Sequence, residues 1–396
     1  MSILKPYFCA GVLWSLALVL GGCEAHEPNP QGPSLSVVVQ SVEWEGWHED
    51  LAEVMAASTS KTMTGPGTVG VLGGARFKLM KTGTHIVTLP LPQMIDSQVP
   101  VSFCVRSTPS NAVVEYRVER QDESNDILSV KLIGDRGQEV QLEWASVVLI
   151  GRNHEPHGES IPDMYRVATA CVQADSPKIA ELAERLWPES GKADDYARSI
   201  QRFIREMKQS KMPRSLDALG ILDSGMNTVC TANANLALAL MRAKGIPSRS
   251  MAVIPPISRR LEMHRIVEYA SADQTTYFDP SSLHFDVPLA PWQTVIMAKS
   301  TVADENLSMK PRMGTALGCP FGQEAELPVS GVVFSGQDFF WTTAKPLADF
   351  EPSDAALSLA RESWTKFIRE GVIKEGQIRA AEASNSDELT EFLRIE

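Results

Sequence analysis

Cys230, His264 and Asp279 fall in that order within residues 215–280, and these residue types in this order can perform thiol nucleophilic catalysis. A thiol attacks only as its thiolate, so it needs a nearby base or a helix N-terminus, and the base needs an orienting partner. Cys230 follows the turn-like Asp223-Ser224-Gly225-Met226-Asn227 and opens a pattern in which Ala234, Leu238 and Met241 recur at helical spacing. Gly245-Ile246-Pro247 ends it, since glycine permits a left-handed cap and proline resists continuation. Cys230 is therefore expected at a helix start. There the dipole and unbonded N–H groups favour a thiolate and could hold an oxyanion. The backbone N–H of Cys230 is the first oxyanion candidate. Asn227 is a weaker second one, because a loop asparagine also suits a turn.

His264 lies in an apolar run, residues 261–270, and the polar Ser271-Ala272-Asp273-Gln274 separates it from residues 275–279. The spacing predicts two strands joined by a tight turn centred on Ala272-Asp273. Ala270 then pairs with Thr275, Ile266 with Asp279 and His264 with Ser281. His264 and Asp279 become diagonal neighbours on one face, a relation that a one-residue slip would destroy. Each residue alone has a structural reading: a core thiol, a structural histidine, an Asp-Pro turn. Their joint occurrence favours the assembled set.

The run Ser215-Leu216-Asp217-Ala218-Leu219-Gly220-Ile221-Leu222-Asp223-Ser224-Gly225, then Cys230, Ala234-Asn235-Leu236 and Ala239 through Arg249, resembles the core of the transglutaminase-like superfamily of papain-type thiol enzymes. His264 with Glu268, and Phe278-Asp279-Pro280, match its later blocks. The resemblance implies an α+β fold with a papain-like transglutaminase core. It also implies that Cys230 is the nucleophile, His264 the base and then acid, and Asp279 the group that orients the imidazole. Acyl transfer through a thioester, to water or to an amine, would follow without a cofactor. The chain departs from the family pattern with Thr228-Val229 before the cysteine and Arg265-Ile266 after the histidine. These departures motivate the alternative, a catalytically silent binding or scaffold lipoprotein of the cell envelope.

At the N-terminus Lys5 precedes the apolar run 8–20, too short for an ordinary membrane span and shaped like a secretory signal. Its ending, Leu20-Gly21-Gly22-Cys23, resembles the bacterial lipobox. That implies lipid acylation of Cys23 and an extracytoplasmic, envelope-anchored protein, on the periplasmic side or the cell surface. Residues 24–34, with three prolines, read as the tether. A net charge of −12 argues against nucleic acid as a partner. The expected partners are a peptide, protein or envelope amide substrate and the membrane that holds the lipid. Of the six cysteines, Cys104, Cys171 and Cys319 remain for one disulfide, with Cys104–Cys171 the expected pair. No spacing suits a metal. His154 and His157 read as a solvated loop.

The elements that must position the chemistry divide as follows: signal 1–22, tether 23–34, β-rich domain 35–160, transglutaminase-like domain 161–300 and C-terminal extension 301–396. In the β-rich part, alternating segments at 35–42, 99–107, 112–118, 127–133 and 140–150, separated by turn residues, suggest an antiparallel β-sandwich. The aromatic Trp44-Glu45-Gly46-Trp47 reads as core packing. Helices are expected at 178–187 and 194–207, the second with Tyr196, Ile200, Phe203, Ile204 and Met207 on one stripe. Beyond residue 300, strands are expected at 329–334 and 339–343. An amphipathic helix is expected at 353–370, capped by Ser353 and presenting Leu357, Ala360, Trp364, Phe367 and Ile368. A short helix at most is expected at 388–395.

Overall fold

The computed structural model describes residues 63–121, 125–152, 160–209, 215–227, 229–254, 264–272, 274–281 and 287–306, with segments 325–326, 332–334, 340–349, 352–370, 372–373 and 379–380. The signal segment, Cys23, the tether, Trp44 to Trp47, His154, His157, Cys319 and residues 388–395 lie outside them. The described chain is α+β. Sheets and helices are segregated into a β-rich layer and a layer of helices on a smaller sheet.

In the β-rich layer, β1 (Gly67–Leu79), β6 (Glu139–Ile150) and β3 (Gln98–Thr108) form the antiparallel centre of one sheet. A second sheet joins β2 (Gly83–Pro90), β5 (Asn125–Gly134) and β4 (Val113–Gln121). Both contribute to one core around Phe77, Phe103, Trp144, Tyr116 and Leu128. β1 and β2 were not legible in the sequence. The β1 stretch Gly67-Thr-Val-Gly-Val-Leu-Gly-Gly lacks clean alternation, and one of its glycines, Gly73, makes room for a neighbour. A Cβ on Gly73 would lie 2.2 Å from the Trp144 ring on the adjoining strand.

The C-terminal segment folds back onto this layer. The strand over Phe340–Asp349 pairs antiparallel with β1. The helix over Asp354–Glu370 lays Leu357, Ala360, Trp364 and Phe367 on the core, and its first turn is capped by Ser353 Oγ accepting from the Ala356 N–H at 3.2 Å. Burying side chains of this size stabilises by about 1.5–3 kcal/mol each.

The smaller sheet has the order β11-β10-β9-β12: β9 (Ser248–Ile254), β10 (His264–Ser271), β11 (Gln274–Phe278) and β12 (Val295–Lys299). Against it pack α1 (Pro177–Leu186), α2 (Ala193–Glu206), α3 (Ala218–Ser224) and α4 (Cys230–Ala243). α4 is buried from Ala232 to Arg242, and its alanines let three helices and a sheet approach it closely. Such a helix, buried all round and mostly apolar, belongs at the centre of a layer. It ends as its residues dictate, with Gly245 at φ 70° and the Ile246 N–H returning to the Met241 carbonyl at 3.1 Å. A buried ion pair, Arg242–Glu305, fastens α4 to α5 (Val302–Asn306), with both guanidinium–carboxylate contacts at 2.7 Å.

Cys104 and Cys171 are not joined by a disulfide, which corrects the expected pairing. Cys104 lies in the core of the β-rich layer and Cys171 in that of the helical layer, so the two thiols belong to different packing units.

Candidate functional site

Cys230 is the first residue of α4. The preceding Val229 is extended and supplies no side-chain cap, so the first-turn N–H groups are not consumed by a capping oxygen. α3 fixes the approach: Asp217 Oδ1 accepts from the Gly220 N–H at 2.9 Å, and Gly225, at φ 62°, closes the helix. Asn235 of α4 donates to the Leu216 carbonyl at 2.7 Å. The backbone of Asn227 lies in a two-residue strand, Met226–Asn227, paired with Lys208–Gln209. Its side chain is outside the described residues, so its candidacy as an oxyanion donor rests on sequence position alone.

β10 and β11 pair with Ala270 opposite Thr275 and Val267 opposite Phe278. The turn and register are those expected from turn length, but the ladder ends at Val267 and Phe278, so Asp279 and Ser281 lie just beyond it and are not strand-paired with Ile266 and His264. His264 opens β10, and its Nε2 meets Asp279 Oδ2 at 2.7 Å. Asp279 is 2% exposed at its side chain and His264 is 25% exposed. With Nε2 committed to Asp279, Nδ1 is the ring atom left for the thiol, and the Cys230 and His264 side chains are hydrogen-bonded.

The electrostatics favour an ion pair. Burial pushes the Cys230 thiol up. Against it, the hydrogen bond and charge of His264, the backbone N–H of Arg265 and the Arg265 charge bring the thiol below its ordinary value. Burial pulls His264 down, but hydrogen bonds and charges from Asp279 and Cys230 outweigh it and push the imidazole up to about 10. The arrangement can therefore hold a thiolate beside an imidazolium, a nucleophile and an acid at one site.

Three further residues complete the site, and the sequence reading did not single them out. Gln201 of α2 donates from Nε2 to the Asp279 carbonyl at 2.9 Å. The Ser281 N–H donates to Asp279 Oδ1 at 2.8 Å, and Asn233 Nδ2 donates to Ser281 Oγ at 2.9 Å. Buried amides on otherwise apolar helix faces are the signal that could have found Gln201 and Asn233, because such groups need partners. Among the described residues no cluster of His, Cys, Asp and Glu is arranged to hold a metal ion. No described helix is long and apolar enough to cross a membrane.

No family model matches the sequence, and no curated protein does. Among solved structures, a protein provisionally described as a cysteine protease from Cytophaga hutchinsonii superposes with a TM-score of 0.51 at 16% identity, covering 74% of this chain and 95% of that one. The likeness shows that the α+β fold is shared. A protein provisionally described as a protease from Parabacteroides distasonis matches over 59% of this chain and 69% of its own at 14% identity, but its TM-score of 0.24 is too low to carry fold information.

Proposed function

We propose that this chain is a thiol hydrolase or acyltransferase acting on peptide, protein or envelope amides, built on a papain-like transglutaminase core. The observation that carries this reading is the continuous chain from the Cys230 thiol through the His264 ring to Asp279 Oδ2, with Nε2 and Oδ2 2.7 Å apart. The cysteine-protease description of the fold neighbour from Cytophaga hutchinsonii agrees with it.

In this mechanism the Cys230 thiolate attacks the amide carbonyl carbon, and the carbonyl oxygen takes the electron pair. The backbone N–H of Cys230, at the positive end of α4, stabilises that oxyanion. Collapse breaks the C–N bond, and the amine leaves with the proton given by His264 Nδ1, forming a thioester on Cys230. His264, now neutral, takes a proton from water or an acceptor amine. The incoming oxygen or nitrogen displaces the sulfur, giving a carboxylic acid or a new amide and restoring the ion pair. Asp279 holds the ring and stabilises its charged form throughout.

We further propose that residues 1–22 are removed and that lipid on Cys23 tethers the enzyme on the extracytoplasmic side of a bacterial membrane, a reading supported by the Leu20-Gly21-Gly22-Cys23 sequence. The deciding experiment is the pH dependence of Cys230 alkylation in soluble protein beginning after Cys23, with a His264→Ala variant beside it. Rapid alkylation well below pH 8 that disappears in the variant is expected, since an ordinary thiol titrates near 8.5. Slow alkylation unchanged by the variant would instead support the silent binding lipoprotein.

A further inference from the structure

α4 carries two buried asparagines, and they have different partners. Asn235 binds the Leu216 carbonyl and ties α4 to the segment before α3. Asn233 lies three residues after Cys230, one turn along the same helix, and is 1% exposed. Its Nδ2 donates to Ser281 Oγ at 2.9 Å, the Ser281 N–H donates to Asp279 Oδ1 at 2.8 Å, and Asp279 Oδ2 meets His264 Nε2 at 2.7 Å. A chain of three hydrogen bonds thus leaves the helix of the cysteine and ends on the histidine.

We propose that Asn233 is a positioning residue for the His264–Asp279 pair, acting through Ser281, a role that rests on the thiol reading above. A carboxylate must present one oxygen along the imidazole N–H direction, and rotation about its side-chain torsions weakens that bond steeply. Asp279 follows directly after β11, where no strand partner fixes its backbone. Two groups do so instead: Gln201 on the carbonyl and Ser281 on Oδ1. Asn233 fixes Ser281 in turn, so the nucleophile and the acid are registered by one rigid helix. A fraction of an ångström lost in this alignment is costly for chemistry. Among the described residues, the charged groups that act on the His264 ring are Cys230 from α4 and Asp279 after β11, and Arg265 on β10 acts on the Cys230 thiol.

The test follows the titration of the His264 imidazole by NMR, with Cys230 alkylation at pH 6, in the soluble full chain after Cys23. Ser281→Ala and Asn233→Ala should each lower the His264 midpoint by about one unit and slow alkylation about tenfold. Ser281→Thr, which keeps the hydroxyl, should restore both, and the double alanine variant should be no worse than either single one. Asn235→Ala is the control: it should lose stability without moving the His264 midpoint. An unmoved midpoint in Ser281→Ala, or an equal shift in Asn235→Ala, would overturn the proposal. If Asn233→Ala does not fold, the half-buried Ser281 decides alone. An ordinary His264 midpoint and ordinary thiol reactivity in the unaltered chain would sink the thiol reading and this proposal with it. A raised midpoint that Ser281→Ala leaves untouched would sink this proposal only.

Discussion

Gln98 and Ile296 exchange two hydrogen bonds, Gln98 Nε2 donating to the Ile296 carbonyl at 2.9 Å and the Ile296 N–H donating to Gln98 Oε1 at 2.8 Å. Asn125 repeats the exchange with Lys299, at 2.8 and 2.7 Å. A primary amide carries both donor and acceptor groups, as a strand residue does, so two side chains from the β-rich layer stand in for a strand beside β12. The edge of the smaller sheet is thereby sealed by the other layer.

Replacing Gln98 by Leu should leave the buried N–H of Ile296 without that partner, while its carbonyl keeps the Gln93 N–H at 2.9 Å, and should destabilise the chain by about 1–3 kcal/mol. Asn125→Leu should cost a similar amount. Urea denaturation of each variant checks this, and an unchanged midpoint would show that the amide exchange contributes nothing.

The pH profile follows from the two titrating groups. The thiolate–imidazolium pair exists between the lowered thiol value and the imidazole value of about 10. Alkylation should climb at a pH below that of an ordinary thiol, as Cys230 ionises, and then hold a plateau. Amide turnover should fall near pH 10, where His264 loses the proton owed to the leaving amine. For stability the sign is opposite to that of an ion-paired carboxylate whose value is lowered on folding. His264 is raised on folding, so its contribution is complete below about 6.5 and lost as pH rises through about 10. A profile of turnover and of unfolding free energy between pH 4 and 11 reads both.

Asp279→Asn keeps the shape of the side chain and removes its charge. The imidazolium loses its anion, and the amide can present a donor to Nε2 and favour the wrong tautomer. Turnover should drop by about two orders of magnitude or more, and alkylation at pH 6 should slow. Steady-state kinetics on any amide substrate found in a screen would measure the first effect, and iodoacetamide labelling the second.

The site was more legible than the frame around it. Cys230, His264 and Asp279 could be placed because helix start and hairpin register are local, set by Gly225, Gly245 and the four-residue turn. Gln201, Asn233 and Ser281 could not, since their roles depend on which helix meets which loop, and that is a tertiary fact. β1 was hidden by its glycines, of which Gly73 is explained only by the Trp144 ring across the strand pair. The helix over 354–370 announced its apolar stripe. That the stripe would cover β3 and β4, far away in sequence, was not encoded in its periodicity.

The Arg242–Glu305 pair is buried at both ends, with side chains 0% and 3% exposed. Arg242 also donates to the carbonyls of Ser248 and Val167, so its charge is fully used. Glu305→Ala should strand that cation and cost about 3–5 kcal/mol, whereas an Arg242→Met, Glu305→Leu double variant should recover much of the loss. Thermal unfolding of the three proteins distinguishes a paired charge from a merely filled volume.

Arg265 follows directly after His264, and it is the one prediction in which stability and chemistry should part. The residue is 6% exposed, Nη1 donates to Ser300 Oγ at 2.8 Å, and Nε has no hydrogen-bond partner among the described residues. Burying a cation this way costs free energy, and the Cys230 thiolate is an anion whose formation that cation favours. Arg265→Gln keeps the backbone N–H that also serves the sulfur, so only the charge is removed. The thiol midpoint should rise by roughly one unit, the size of a charge interaction across about 10 Å at an intermediate dielectric. The unfolding free energy should stay level or increase. Alkylation about tenfold slower at pH 6 in a protein at least as stable would identify Arg265 as a fixed counter-charge to the thiolate. An unmoved thiol midpoint would leave that role to His264 and the backbone alone.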